Sequence, residues 1–138
     1  MSEDAPLYSP FVETVGAELV EWTRGRVRWA LTVGPQHTNP GGVMHGGVVA
    51  TMLDEAVANA VTSLRGREAT RPNPHLLLEM NVSFVAAARP GDRLEVEGRV
   101  LRLGRQVAFA EAEARRLPGG DLVAKGRFTF LIPDRRRD

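Results

Sequence analysis

Residues 39–57 read NPGGVMHGGVVATMLDEAV. Glycine pairs at 41–42 and 46–47 bracket His45, and the chain then runs from Val48 to Leu64 without proline or glycine, rich in Val, Ala, Met and Leu. That composition predicts a single helix of about five turns, stopped by Arg65 and Gly66. Two acids, Asp54 and Glu55, sit in its middle, and burying a charge is costly. Projected at about 100° per residue, Thr51, Glu55, Asn59, Thr62 and Ser63 fall in one polar stripe. Asp54 stands off that stripe, because its neighbours three and four residues away are Ala50, Thr51, Val57 and Ala58. A partly desolvated Asp has its pKa raised, which suits a general base working near neutrality. The alternative is an Asp that hydrogen-bonds a neighbouring backbone and fixes the helix in place.

Gly46 and Gly47 fall at the expected helix N-terminus, where N–H groups lack intrahelical partners and the dipole favours negative charge. Without a side chain, Gly46 lets a ligand carbonyl approach those N–H groups. A sharp entry into the helix is the plainer reading of the same pair. From Gly46 to Asp54 is roughly 12 Å along a helix, too far for both to touch one reacting carbon. Either they serve different things, or Gly46 of one subunit meets Asp54 of another across a two-fold axis.

Working outward, AELVEWTRGRVRWALTV (17–33) alternates apolar and polar residues on both sides of Thr23, Arg24 and Gly25, which predicts two antiparallel strands. Residues 1–16 form a lead-in with a short helix around Phe11 to Val15. QHTNPGG and REATRPNP read as loops. After them HLLLEMNVSFV, RLEVEGRVLRL, QVAFAEAEARR and LVAKGRFTFLI read as four strands, separated by ARPGD, GR and LPGGD. The order is strand, strand, long helix, four strands. This is an α+β arrangement in which the helix buries itself against the face of a sheet of about six strands.

The chain has 138 residues, 43% of them hydrophobic and 25% charged, which fits one soluble domain, 1–138, with residues 1–10 and 133–138 as flexible ends. No run approaches the roughly 18 apolar residues of a membrane span. The start, MSEDAPLYSP, has neither the basic opening nor the apolar core of a secretory signal. There are no cysteines, which removes thiolate chemistry and leaves the cytoplasm as the expected location. A net charge of +1 and few aromatics argue against a nucleic-acid surface. The basic set is seventeen Arg to the single Lys125. That bias suits planar anions such as phosphates, although GC-rich codon usage produces it too. His37, His45 and His75 lack metal-ligand spacing, so no metal or other cofactor is expected.

Asn39, then His45-Gly46-Gly47, then Asp54 nine residues after the His, together resemble the motif of the hotdog-fold acyl-CoA thioesterases, in their PaaI-like branch. The order of strands and helix is similar from about residue 11 to 132, and the Pro90-Gly91-Asp92 turn is similar too. The resemblance implies a hotdog fold, an antiparallel sheet wrapped around one long central helix, forming homodimers or tetramers with the active site at the dimer interface. It implies hydrolysis of an acyl-CoA. Asp54 would be general base or nucleophile, the Gly46 N–H would polarise the carbonyl, Asn39 would position carbonyl or water, and His45 would shape the pocket, with Gly47 beside the substrate. Several relatives carry a Ser or Thr early in the strand after the helix, to hold the catalytic water. Here Leu77 stands in that place, with His75, Asn81 or a main-chain group as substitutes. Arg89, Arg102, Arg105 and Arg127 are candidates for the CoA phosphates. A hotdog hydratase or dehydratase, and a non-catalytic acyl-CoA-binding or regulatory module, are the other readings.

Overall fold

The structure, a computed structural model, describes residues 9–134. Residues 1–8 and 135–138, most of the expected flexible ends, lie outside the described residues. Ser9 precedes helix α1 (Pro10–Val15), whose proline sits at the first helical position, where no N–H is needed. Near the other end the Pro133 carbonyl accepts a bond from Asn73 Nδ2 at 3.0 Å.

Strands β1 (Glu18–Thr23) and β2 (Arg26–Thr32) form the expected hairpin, followed by helix α2 (Gly46–Arg65). The segment read as a loop after it contains a single helical turn, α3 (Arg67–Thr70). Four strands complete the chain: β3 (Leu76–Phe84), β4 (Arg93–Leu103), β5 (Val107–Leu117) and β6 (Asp121–Leu131). All six make one antiparallel sheet in the order β1-β2-β4-β5-β6-β3.

Alternation along the central strands explains why α2 lies on one face only. Leu94, Val96 and Gly98 of β4 are buried and register with Leu31, Trp29 and Val27 of β2, while Ala108, Ala110, Ala112 and Ala114 line the same face of β5. The opposite face carries Arg28, Glu95, Glu97, Arg99, Glu111 and Glu113, joined in cross-strand ion pairs such as Arg28 with Glu95 and Arg99 with Glu111. Small inner residues let the helix come close. A Cβ added to Gly98 would lie 2.7 Å from the Ala56 carbonyl oxygen, so glycine is required where α2 crosses β4.

The polar stripe expected on α2 is not a solvated face. Asn59, Thr62 and Ser63 are buried, their side chains donating to the carbonyls of Glu55, Ala58 and Ala60. Ser63 Oγ also accepts the Gly25 N–H at the β1–β2 turn. The side of α2 left open runs instead along Gly47, Val48, Thr51, Asp54, Glu55 and Ala58.

Candidate active site

Loop 33–45 brings the motif residues together by backbone bonds. Asn39 N–H donates to the Val43 carbonyl and the Gly42 N–H returns to the Asn39 carbonyl, a turn that Gly42 completes with a φ of 80°. The Asn39 side chain holds the same turn, its Oδ1 accepting the Gly41 N–H at 2.9 Å. Its Nδ2 has no acceptor among the described residues and remains a donor. His37, buried, braces the loop by bonding Val15 O with Nε2 and accepting the Gly34 N–H on Nδ1.

Helix α2 starts at Gly46, two residues earlier than composition alone predicts, because His45 is its N-cap. His45 Nδ1 accepts the Gly47 N–H at 2.8 Å. The bond has two consequences. In the neutral ring, Nδ1 as acceptor leaves the proton on Nε2, which projects as a donor. The Gly47 N–H is also spent on the cap, so the free donor at this end is Gly46 N–H, which no described atom accepts.

Beside Gly46 opens an apolar cleft of about 290 Å³, lined by Val43, Met44, Val49, Phe84, Val123 and the 85–88 segment. The Phe84 ring closes against the glycine, with Cε1 at 3.3 Å from where a Gly46 Cβ would stand. Arg116 supports the far wall by donating to the Ala87 carbonyl at 3.0 Å and pairing with Asp92. Sequence reading did not single out Phe84 or Arg116. Asp92 of the PGD turn was the one signal available for that wall.

Asp54 lies on the open side of α2, half-buried, and its carboxylate has no hydrogen-bond or ion-pair partner among the described residues. Burial pushes its pKa up. Glu55 is equally sunk and also raised, by burial first and then by the neighbouring Asp54 charge. It is satisfied where Asp54 is not: Ser9 Oγ donates to one carboxylate oxygen and Asn59 Nδ2 to the other.

Leu77 registers with Phe130, so it faces the helix side of the sheet with no hydroxyl to offer. Neither side chain suggested as its substitute is free to act. His75 Nε2 bonds Ala58 O at 2.9 Å and its Nδ1 receives Arg65, while burial lowers its pKa to about 4. Asn81 registers with Arg127 on the outer face, away from α2.

The four arginines are dispersed within the protomer. Arg89 follows Ala88 at the Gly46 end, and Arg127 points outward from β6. Arg102 and Arg105 line an open cleft of about 540 Å³ with Phe109 at the β4–β5 turn, where Val107 registers with Leu131 at the opposite end of the sheet from Phe84. Among the described residues no cluster of His, Asp and Glu could hold a metal ion, and no helix is long and apolar enough to cross a membrane.

Residues 41–123 match the thioesterase superfamily. The human protein named acyl-coenzyme A thioesterase 13 is 30% identical over 111 residues, covering 80% of this chain and 76% of its own. A Caenorhabditis elegans protein named as a candidate esterase is 34% identical over 113 residues, covering 82% of this chain. The chain spans 64% of that relative's length. Among solved structures, zebrafish thioesterase superfamily member 2 superposes with a TM-score of 0.81 at 31% identity, covering 91% of this chain and 88% of its own. The Escherichia coli PaaI protein shares the fold, with a TM-score of 0.82 at 20% identity over 91% of this chain and 86% of its own. The chain belongs to the thioesterase superfamily. Within it, the six-stranded sheet around one long helix gives this protein the hotdog fold, which the PaaI protein shares.

Proposed function

We propose that this protein hydrolyses an acyl-CoA thioester to a free carboxylic acid and CoA, in an active site assembled across a homodimer interface. The observation that carries the reading is Asp54: a half-buried carboxylate with no partner among the described residues, on the open side of the helix whose N-terminus presents the Gly46 N–H, which no described atom accepts. In the general-base route, Asp54 takes a proton from water as its oxygen bonds to the thioester carbon. The oxyanion that forms is held on Gly46 N–H, with Asn39 Nδ2 as a further donor. Collapse breaks the C–S bond, and the proton on Asp54 passes to the departing CoA sulfur. In the nucleophilic route, Asp54 itself forms the new C–O bond as the C–S bond breaks and CoA leaves as its thiolate. Water then cleaves the mixed anhydride, giving the carboxylic acid, returning the Asp54 carboxylate and leaving one proton for the thiolate.

The edge strand supports the dimer. Every residue of β3 is at least partly exposed, including Leu77, Met80 and Phe84, which register with the buried Phe130, Phe128 and Ala124 and so face the helix side. An apolar strand open on its edge and both faces invites a second copy. Two-fold pairing there brings one subunit's Gly46 to the other's Asp54, which the roughly 12 Å between them within one helix forbids. A pair of such dimers would make a tetramer. Arg102 and Arg105, with Phe109, offer two cations and an aromatic face to the nucleotide end of CoA; Arg89 and Arg127 are weaker candidates.

The test is thiol release from short, long and aromatic acyl-CoAs by the wild type and Asp54→Asn. Loss of turnover by orders of magnitude in a folded variant supports the reading. Near-normal turnover in Asp54→Asn overturns it, and binding of acyl-CoA with no thiol release from any of them marks a non-catalytic module.

A further inference from the structure

We propose that the Thr51 hydroxyl holds the water that Asp54 activates, so that Thr51 is a catalytic residue of this site. The inference rests on the reading of Asp54 as a general base. A water attacking a carbonyl gives one proton to the base and keeps another. In a site drained of bulk solvent that second proton needs an acceptor, or its hydrogen bond is lost. The acceptor must lie beside the base, on the same open face.

Few groups qualify. On the open side of α2, Val48 and Ala58 have no polar side-chain atom, and Glu55, held by Ser9 and Asn59, adjoins Asp54 at a spacing where helical side chains do not face each other. From the sheet, Leu77 brings only carbon, His75 is tied to Ala58 O and Arg65, and Asn81 faces away. Thr51 remains. It precedes Asp54 by three residues, the spacing at which helical side chains are neighbours. Its Oγ1–H donates to the Gly47 carbonyl at 2.8 Å. That bond uses the hydroxyl's one proton and leaves its lone pairs outward, so towards a water Thr51 is purely an acceptor. The water then has one proton on Asp54, the other on Thr51, and its oxygen lone pair aimed at the thioester carbon. Protons balance: one moves to Asp54 and the other stays with the new carboxylic acid.

Thr51→Val removes the hydroxyl at constant shape, Thr51→Ala removes it with a residue that favours helix, and Thr51→Ser keeps it. Steady-state kinetics on the folded dimers, with thermal unfolding as control, should show kcat lower by roughly ten- to hundredfold in the Val and Ala variants at unchanged KM, and near wild type in Ser. The acid limb of the pH profile, which belongs to Asp54, should not move. Wild-type kcat in the Val and Ala variants, with Asp54→Asn inactive, overturns the role of Thr51 and leaves the proposed function standing. A loss in all three that follows their melting temperatures also overturns it. Activity in Asp54→Asn fails the underlying reading instead.

Discussion

A side chain on Gly98 would collide with the backbone of Val57: a Cβ there lies 2.6 Å from the Val57 nitrogen. The contact sets the height of α2 above β4 one turn beyond the open-face carboxylate. Gly98→Ala must push the helix off the sheet, at a cost of about 1–3 kcal/mol. Its melting temperature should fall, and kcat should drop with it because Asp54 shifts. Unchanged stability would mean the helix is free to slide.

The half-buried Asp54 carboxylate acts with opposite signs on stability and on activity. Because burial raises the folded pKa of Asp54, its favourable contribution is fully present below the unfolded pKa and is lost as pH rises through the folded value. Asp54→Asn should therefore be more stable than wild type at neutral pH, and inactive. Activity in the wild type should fall on the acid side at a pH above the ordinary Asp range, since the base must be ionised. Denaturant unfolding of both proteins across pH, beside a rate profile, checks both signs.

His75 works the other way. Its folded pKa, about 4, lies below the ordinary value of 6.5, so its neutral burial costs nothing above pH 6.5 and costs stability as pH falls toward 4. The full effect is on the order of 3 kcal/mol. His75→Gln, measured by the same unfolding series, should flatten the loss over that window. An unchanged slope would place the acid sensitivity elsewhere.

His45 fixes the start of α2 through Gly47. His45→Ala should lose about 1 kcal/mol of stability and His45→Asn should recover much of it, since Asn caps well. Urea midpoints of the three proteins decide this.

If Arg102 and Arg105 hold CoA phosphates, changing both to Ala should raise KM for acyl-CoA about tenfold or more. The same acyl group on a short thiol without the nucleotide should be hydrolysed as before. An equal effect on both substrates would remove these arginines from the binding site.

The sequence was most legible where a period is enforced by burial. Alternation in RLEVEGRVLRL yields β4 with its inner Leu94, Val96 and Gly98, and the Pro/Gly-free run from Val48 yields α2. It was least legible where a face is decided by packing with other elements. Asn59, Thr62 and Ser63 look like a solvated stripe because a helical projection cannot see that they bond back to the helix and to the β1–β2 turn under the sheet. The projection set Asp54 apart from Glu55, yet both lie on the open side of α2, and what distinguishes them there is a contact distant in sequence, Ser9 to Glu55. The loop residues Asn39 to Gly47 were visible as a motif. That His45 consumes the Gly47 N–H, leaving Gly46 as the free donor, depends on a rotamer and was not.

Complementation between two inactive variants reads out whether the site is shared between subunits. Gly46→Pro removes the Gly46 N–H at the first helical position, where proline is tolerated, and Asp54→Asn removes the proposed base. Each homodimer should be inactive. If the site joins Gly46 of one subunit to Asp54 of the other, unfolding and refolding the two together creates one intact site in each mixed dimer. The mixture should then show about a quarter of wild-type specific activity. A mixture as inactive as its parts, with mixed dimers demonstrated by mass, would mean that Gly46 of one subunit and Asp54 of the other do not form one site.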